Sequence, residues 1–179
     1  MLPQRPTAVL LSLPLLAMIL VSVRYWIEFG KGERRGGSKH HISYNKFFLT
    51  LVGIGYFGIW PFWVGGIVFL FLDRYYTMFD FMTFSFLMAS FVQIVGLVVL
   101  YVGSIFFTWA LDFAGKYLRP STSGVYGKHR LIQDGPLGIV RHPYYVSYVL
   151  ILVGLGLTHA TLWPLLLALG VVIGMGPTA

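Results

Sequence analysis

The chain has no cysteine, so it forms no disulfide and no thiolate metal site. Charge is scarce as well. Only 11% of the 179 residues are Asp, Glu, Lys or Arg, where a soluble domain carries roughly 25%. Period-two alternation of apolar and polar residues is absent, which excludes a transmembrane β-barrel. What the chain does have is long uncharged stretches. It is 57% hydrophobic, with a mean hydropathy of +0.77. No charged residue falls within 6–23, 47–72, 81–111 or 143–179. Each run is near or above the roughly 20 residues that cross a bilayer as a helix.

These runs predict an all-α integral membrane protein with about five transmembrane helices. They fall at about 7–27, 47–72, 84–109, 144–158 and 161–176, the last two forming a short helical hairpin. Residues 1–109 hold the first three helices and a basic loop at 28–46. Residues 110–143 form a second loop, and 144–179 the hairpin. Arg5 precedes the first apolar run, but no clean cleavage site follows it, so the first helix is expected to be retained. Tyr25-Trp26 and Tyr75-Tyr76 suit interfacial belts.

The basic residues set the expected sidedness. Of 13 Lys and Arg, six lie between Arg24 and Lys46 and five between Lys116 and Arg141. Two spans separate these loops, so they share a side, which the positive-inside rule makes cytosolic. The Gly-rich loop with Arg34-Arg35 and Lys39-His40-His41 fits contact with membrane lipids and gives no sign of nucleic acid. No third ligand accompanies His40-His41, so no metal site is expected.

Polar residues within spans are few. Gln93 is expected to bond a neighbouring helix. Gly53, Gly55 and Gly58 near Trp60-Pro61, with Gly65-Gly66, suggest close packing and a kink. His159 falls in the turn Thr158-His159-Ala160-Thr161 and is expected at the interface.

The segment 110–143 differs in kind. It includes Asp112, Lys116, Arg119-Pro120, Lys128-His129-Arg130 and Asp134-Gly135-Pro136. A loop of that length is usually functional. It leads into Arg141-His142-Pro143, polar residues held against an apolar run, which marks a functional site. Pro143 suits the first turn of a helix, placing His142 at its N-cap beside the positive end of the dipole. That setting favours a carboxylate or another anion.

His129-Arg-Leu131, Gly135-Pro136 and Val140-Arg-His-Pro-Tyr-Tyr145, in this spacing and before a short hairpin, resemble the isoprenylcysteine carboxyl methyltransferase family and its phospholipid methyltransferase relatives. The likeness covers roughly 105–176. It implies S-adenosylmethionine as cofactor and a lipophilic methyl acceptor, either a prenylcysteine or other lipid-like carboxylate or a lipid amine. It implies cofactor contacts at His129, Arg130, Leu131 and Ile132, and at His142, Pro143, Tyr144 and Tyr145. Arg141 would hold a carboxylate, as the candidate catalytic residue. Three departures stand out. Leu137 replaces the family's aromatic after Gly-Pro, and Ser147 replaces a frequent glycine. The family's Arg and Glu pair beyond the last span has no counterpart before Ala179, so a truncated chain that folds but holds the cofactor weakly is expected. Two other readings are a sterol-reductase-like enzyme using NADPH and a non-catalytic membrane scaffold.

Overall fold

A computed structural model describes residues 1–30, 46–75, 88–117 and 134–175. It is all-helical, with no strand among the described residues. Helix α1 spans Gln4–Gly30, α2 Lys46–Phe71, α3 Ala89–Tyr117, the short α4 Pro136–Ile139, α5 Pro143–His159 and α6 Trp163–Met175. Two segments, Gln4–Arg24 and Ala89–Phe113, are long and apolar enough to cross a membrane. Ile59–Phe71, Pro143–His159 and Trp163–Ile173 are shorter apolar helices. The outer faces carry exposed large apolar side chains, such as Leu13, Leu16 and Leu20 on α1 and Phe91, Val98 and Ile105 on α3. A surface of this kind is at home in lipid, and with the two long helices it indicates membrane association.

Helix α1 lies against α2 and α3, α3 against α5, α5 against α6 and α6 against α2, so the five longer helices close a ring. The core inside it includes Leu11, Ile59, Trp63, Leu100, Ile151 and Leu155. The contact between α3 and α5 is the most extensive. Its cause is visible in α3, where small residues recur every seventh position at Ala89, Gly96, Gly103 and Ala110. A heptad of small residues is one flat stripe along a helix. Gly96 abuts the Thr158 backbone, and Gly103 abuts Leu150 and Ile151. From the other side Gly154 of α5 receives Leu100. A Cβ at Gly154 would lie 2.5 Å from the Leu100 nitrogen, so backbone approaches backbone and only glycine fits.

Several polar side chains bond backbone carbonyls on other helices, which satisfies groups that an apolar medium cannot. Pro14 has no amide to bond Leu10, four residues earlier. The Tyr101 hydroxyl donates to that Leu10 carbonyl at 2.8 Å. The Trp63 indole donates to the Leu11 carbonyl at 3.2 Å. Gln93 is fully buried and bonds neighbouring segments as its sequence position suggests. Its amide donates to Thr158 O at 3.1 Å, and its Oε1 accepts from Leu2 N at 2.7 Å.

These contacts define two ends. Leu2, Gln93 and Thr158 meet at one, where Arg5 also pairs with Asp73 at 2.8 Å. At the other, the Tyr144 hydroxyl donates to Ala110 O at 3.1 Å, joining the start of α5 to α3.

The structure departs from the sequence reading in three places. Helix α3 runs on to Tyr117, so 110–117 is helical rather than loop. The small-residue stripe explains this: at Ala110 it still packs on α5, and the helix is held past its first charged residue. Tyr75 is not in an interfacial belt but fully buried, and so is His159, at 1% exposure. Both lie beneath the end of the ring formed by α2, α5 and the N-terminal residues. Of the glycine pair, Gly66 is a close contact, whereas nothing lies within 4 Å of a Cβ at Gly65.

Candidate functional site

The site begins with a turn. Gly135 has φ 62 and ψ −138, a conformation open essentially to glycine alone. A Cβ there would lie 2.6 Å from two ring atoms of Phe113. The next residue, Pro136, opens α4 and is buried. The single turn of α4 is closed by Gly138 N donating to Gly135 O and Val140 N donating to Pro136 O, both at 3.1 Å. Gly135 and Pro136 thus seat the segment on the side of α3, and Val140 turns extended and leads the chain to Arg141.

His142 is the N-cap of α5, and Pro143 holds its first position. The proline supplies a fixed φ and lacks only an amide that would have no helical partner. His142 has φ −127, outside the helical region, as the residue before proline requires. Its carbonyl accepts from Tyr145 N at 3.1 Å and from Val146 N at 3.2 Å. Its side chain makes no capping hydrogen bond. The imidazole instead stacks on the Tyr145 ring, with centroids 5.4 Å apart and planes 28° from parallel. Both rings are exposed, Tyr145 at 41%. Arg141 is exposed beside them and makes no ion pair with a described residue.

The other motif residues have different surroundings. Pro143 is buried. Tyr144 is half-buried, with its hydroxyl committed to Ala110 O and its ring edge-on to Phe107 at 6.0 Å. Tyr144 braces α5 against α3, and neither residue offers the open face that Tyr145 does. Leu137 is half-buried on α4, and Ser147 is buried, its hydroxyl donating to Pro143 O at 2.7 Å. His129, Arg130, Leu131 and Ile132 lie outside the described residues. No group of three or more His, Cys, Asp or Glu able to hold a metal is found among the described residues.

The structure therefore brings together Arg141, His142 and Tyr145 at one helix start. Chemically this is a flat two-ring platform, a guanidinium and the positive end of a 17-residue helix. It suits an anion, and a planar or cationic group lying against the rings. Sequence reasoning missed Phe113, the ring against which Gly135 turns. The stripe Ala89, Gly96, Gly103 and Ala110 could have found it, because that stripe carries the helix past 109. Compared with protein-family models, with curated proteins and with solved structures, the chain matches none.

Proposed function

We propose that the protein is a multi-pass membrane methyltransferase that uses S-adenosylmethionine and acts on a lipophilic acceptor, with its site at the cytosolic end of five spans. The observation that carries the reading is the exposed His142–Tyr145 stack beside Arg141 at the start of α5. The grouping of eleven of 13 basic residues in the two loop regions supports the orientation.

The residues fit the cofactor's chemistry in kind. It carries a carboxylate, a planar base and a sulfonium, and it supplies an electrophilic methyl group. Arg141 and the α5 N-terminus receive a carboxylate, by charge and by hydrogen bonding. His142 and Tyr145 give a ring face for the planar or cationic part. A carboxylate acceptor is already ionised, so no residue need act as base. The contribution of the chain is alignment of the cofactor with the acceptor. The Gly135 turn and the Tyr144 brace hold that alignment.

Calorimetry with the full chain in nanodiscs tests this. Weak but saturable S-adenosylmethionine binding is expected, and His142→Ala with Tyr145→Ala should weaken it at least about tenfold, or 1.4 kcal/mol. Equal binding by the parent and the double variant refutes the site. Binding of NADPH in place of S-adenosylmethionine supports a reductase instead, and saturable binding of neither supports a scaffold.

A further inference from the structure

At the end of the ring opposite Arg141, a histidine closes the hairpin. His159 is the last residue of α5 and is 1% exposed. Its ring lies 4.7 Å from that of Tyr75 and 5.3 Å from that of Phe62. On a third side it lies against α2 at Gly66, where a Cβ would come within 2.6 Å of its Cε1 and 2.9 Å of its Nε2. The imidazole thus fills a slot cut to its shape. Neither ring nitrogen has a hydrogen-bond partner, nor does the buried Thr161 hydroxyl two residues on.

Such a ring is tolerated only while neutral. Among the described residues a second proton would create a buried cation with no acceptor beside it, and burying an unpaired charge is far more costly than burying an unpaired polar group. No described carboxylate contacts the ring. From α2 the ring meets Phe62 and Gly66, and from the segment after α2 it meets Tyr75, whose phenol is the one titratable group in contact among the described residues. From α3 the nearby Gln93 has its amide on Thr158 and its carbonyl on Leu2. The described charged groups of this end, Arg5, Asp73 and Arg74, are exposed, and Arg5 and Asp73 pair with each other.

We propose that His159 is an acid-released latch: in its slot between Tyr75, Phe62 and Gly66 it fastens the α5–α6 turn to α2, and protonation expels it and frees that turn. Two hydrogen bonds report the state of the latch directly. Ala160 N donates to Leu157 O at 3.2 Å and Thr161 N to Gly156 O at 2.9 Å. Both break when the turn opens.

The sign follows from which state takes the proton. The released imidazole protonates below its ordinary value of about 6.5, and the slotted ring does not. Acid therefore favours release, and neutral or alkaline conditions leave the latch shut. While the slotted ring stays neutral, the open population grows about tenfold for each pH unit below about 6.5 and is flat above it.

Hydrogen exchange of the Ala160 and Thr161 amides, in the full chain in nanodiscs and corrected for the intrinsic pH dependence of exchange, reads this population. The parent should gain about sixteenfold from pH 6.5 to 5, the slope approaching tenfold per unit at the acid end. His159→Phe, which cannot take a proton, should show no such rise, and His159→Asn serves if the larger ring does not fold. Gly66→Ala should evict the ring and give fast exchange already at pH 7.5. A flat profile in the parent overturns the latch. So does the same slope in the variants without the imidazole.

Discussion

Replacing Gly135 by alanine removes the seat of the candidate site by two additive routes. The backbone at φ 62, ψ −138 is sparsely populated for any residue with a Cβ, at about 1–3 kcal/mol. The new methyl would also overlap Phe113 at 2.6 Å, and overpacking of that kind costs about 1–3 kcal/mol. Together these are about 2–6 kcal/mol, directed at a single-turn helix held by two backbone hydrogen bonds. That is more than the turn can withstand, so α4 should leave α3 while the rest of the bundle stays folded. Hydrogen exchange of the Gly138 and Val140 amides measures it. Their protection should fall at least about thirtyfold, the equivalent of 2 kcal/mol. The exposed Gly138, whose φ is not positive, provides the control, since Gly138→Ala should stay within about twofold. Phe113→Ala placed in the Gly135→Ala background should recover the overlap and leave the backbone part. Protection in Gly135→Ala within about twofold of the parent would refute the account.

Two further substitutions probe the frame around both ends. Ala160 sits at φ 53, ψ 43, where a side chain costs about 1–2 kcal/mol. Ala160→Gly relieves this against about 0.4–1 kcal/mol of added freedom in the unfolded chain. The buried Ala160 methyl is lost as well, at about 0.8 kcal/mol, so a change within about 1 kcal/mol of zero is expected in reversible unfolding from mixed micelles, and a loss above about 2 kcal/mol would refute the turn geometry. Tyr144→Phe deletes the bond to Ala110 O and should cost about 0.5–1.5 kcal/mol of stability. Because the Tyr144 hydroxyl is already committed to Ala110 O, its loss should leave S-adenosylmethionine affinity within about twofold, whereas Tyr145→Ala alone should lower it.

What could be read in the sequence was mostly local. Pro143 announces a helix start, and the structure has His142 as N-cap with Pro143 first in α5. Gln93, alone in an apolar run, bonds across helices as such a residue must. Charge misled at the end of α3: Asp112 and Lys116 suggest loop, yet the helix continues to Tyr117, since its fate is decided by the seven-residue recurrence of small residues and not by local polarity. Burial of His159 was not legible at all. It depends on a notch at Gly66, 93 positions away in the chain, and nothing near His159 encodes that notch. The same holds for Tyr144 and Tyr145. They are neighbours of equal chemistry, and only the position of α3 makes one a brace and the other an open face.

The stripe Ala89, Gly96, Gly103, Ala110 is nearly self-similar, and this raises a problem of alignment. Moved by one heptad, about 10.5 Å along the axis, α3 would bring Ala89 or Ala110 to the place of a glycine, where a Cβ comes within 2.5 Å of α5 at Gly96 or 2.9 Å at Gly103. Packing alone is thus a ruler whose marks differ by single methyl groups. The polar bonds sharpen the reading. Gln93 to Thr158 at one end and Tyr144 to Ala110 at the other are satisfied together in a single offset. In an apolar solvent the wrong offset strands the buried Gln93 side chain, which makes each bond a strong discriminator though a modest adhesive. Adhesion and part of the alignment are therefore assigned to different atoms of the same helix pair. A variant that keeps every glycine but loses both bonds would still pair α3 with α5, its offset then held by the glycine contacts alone.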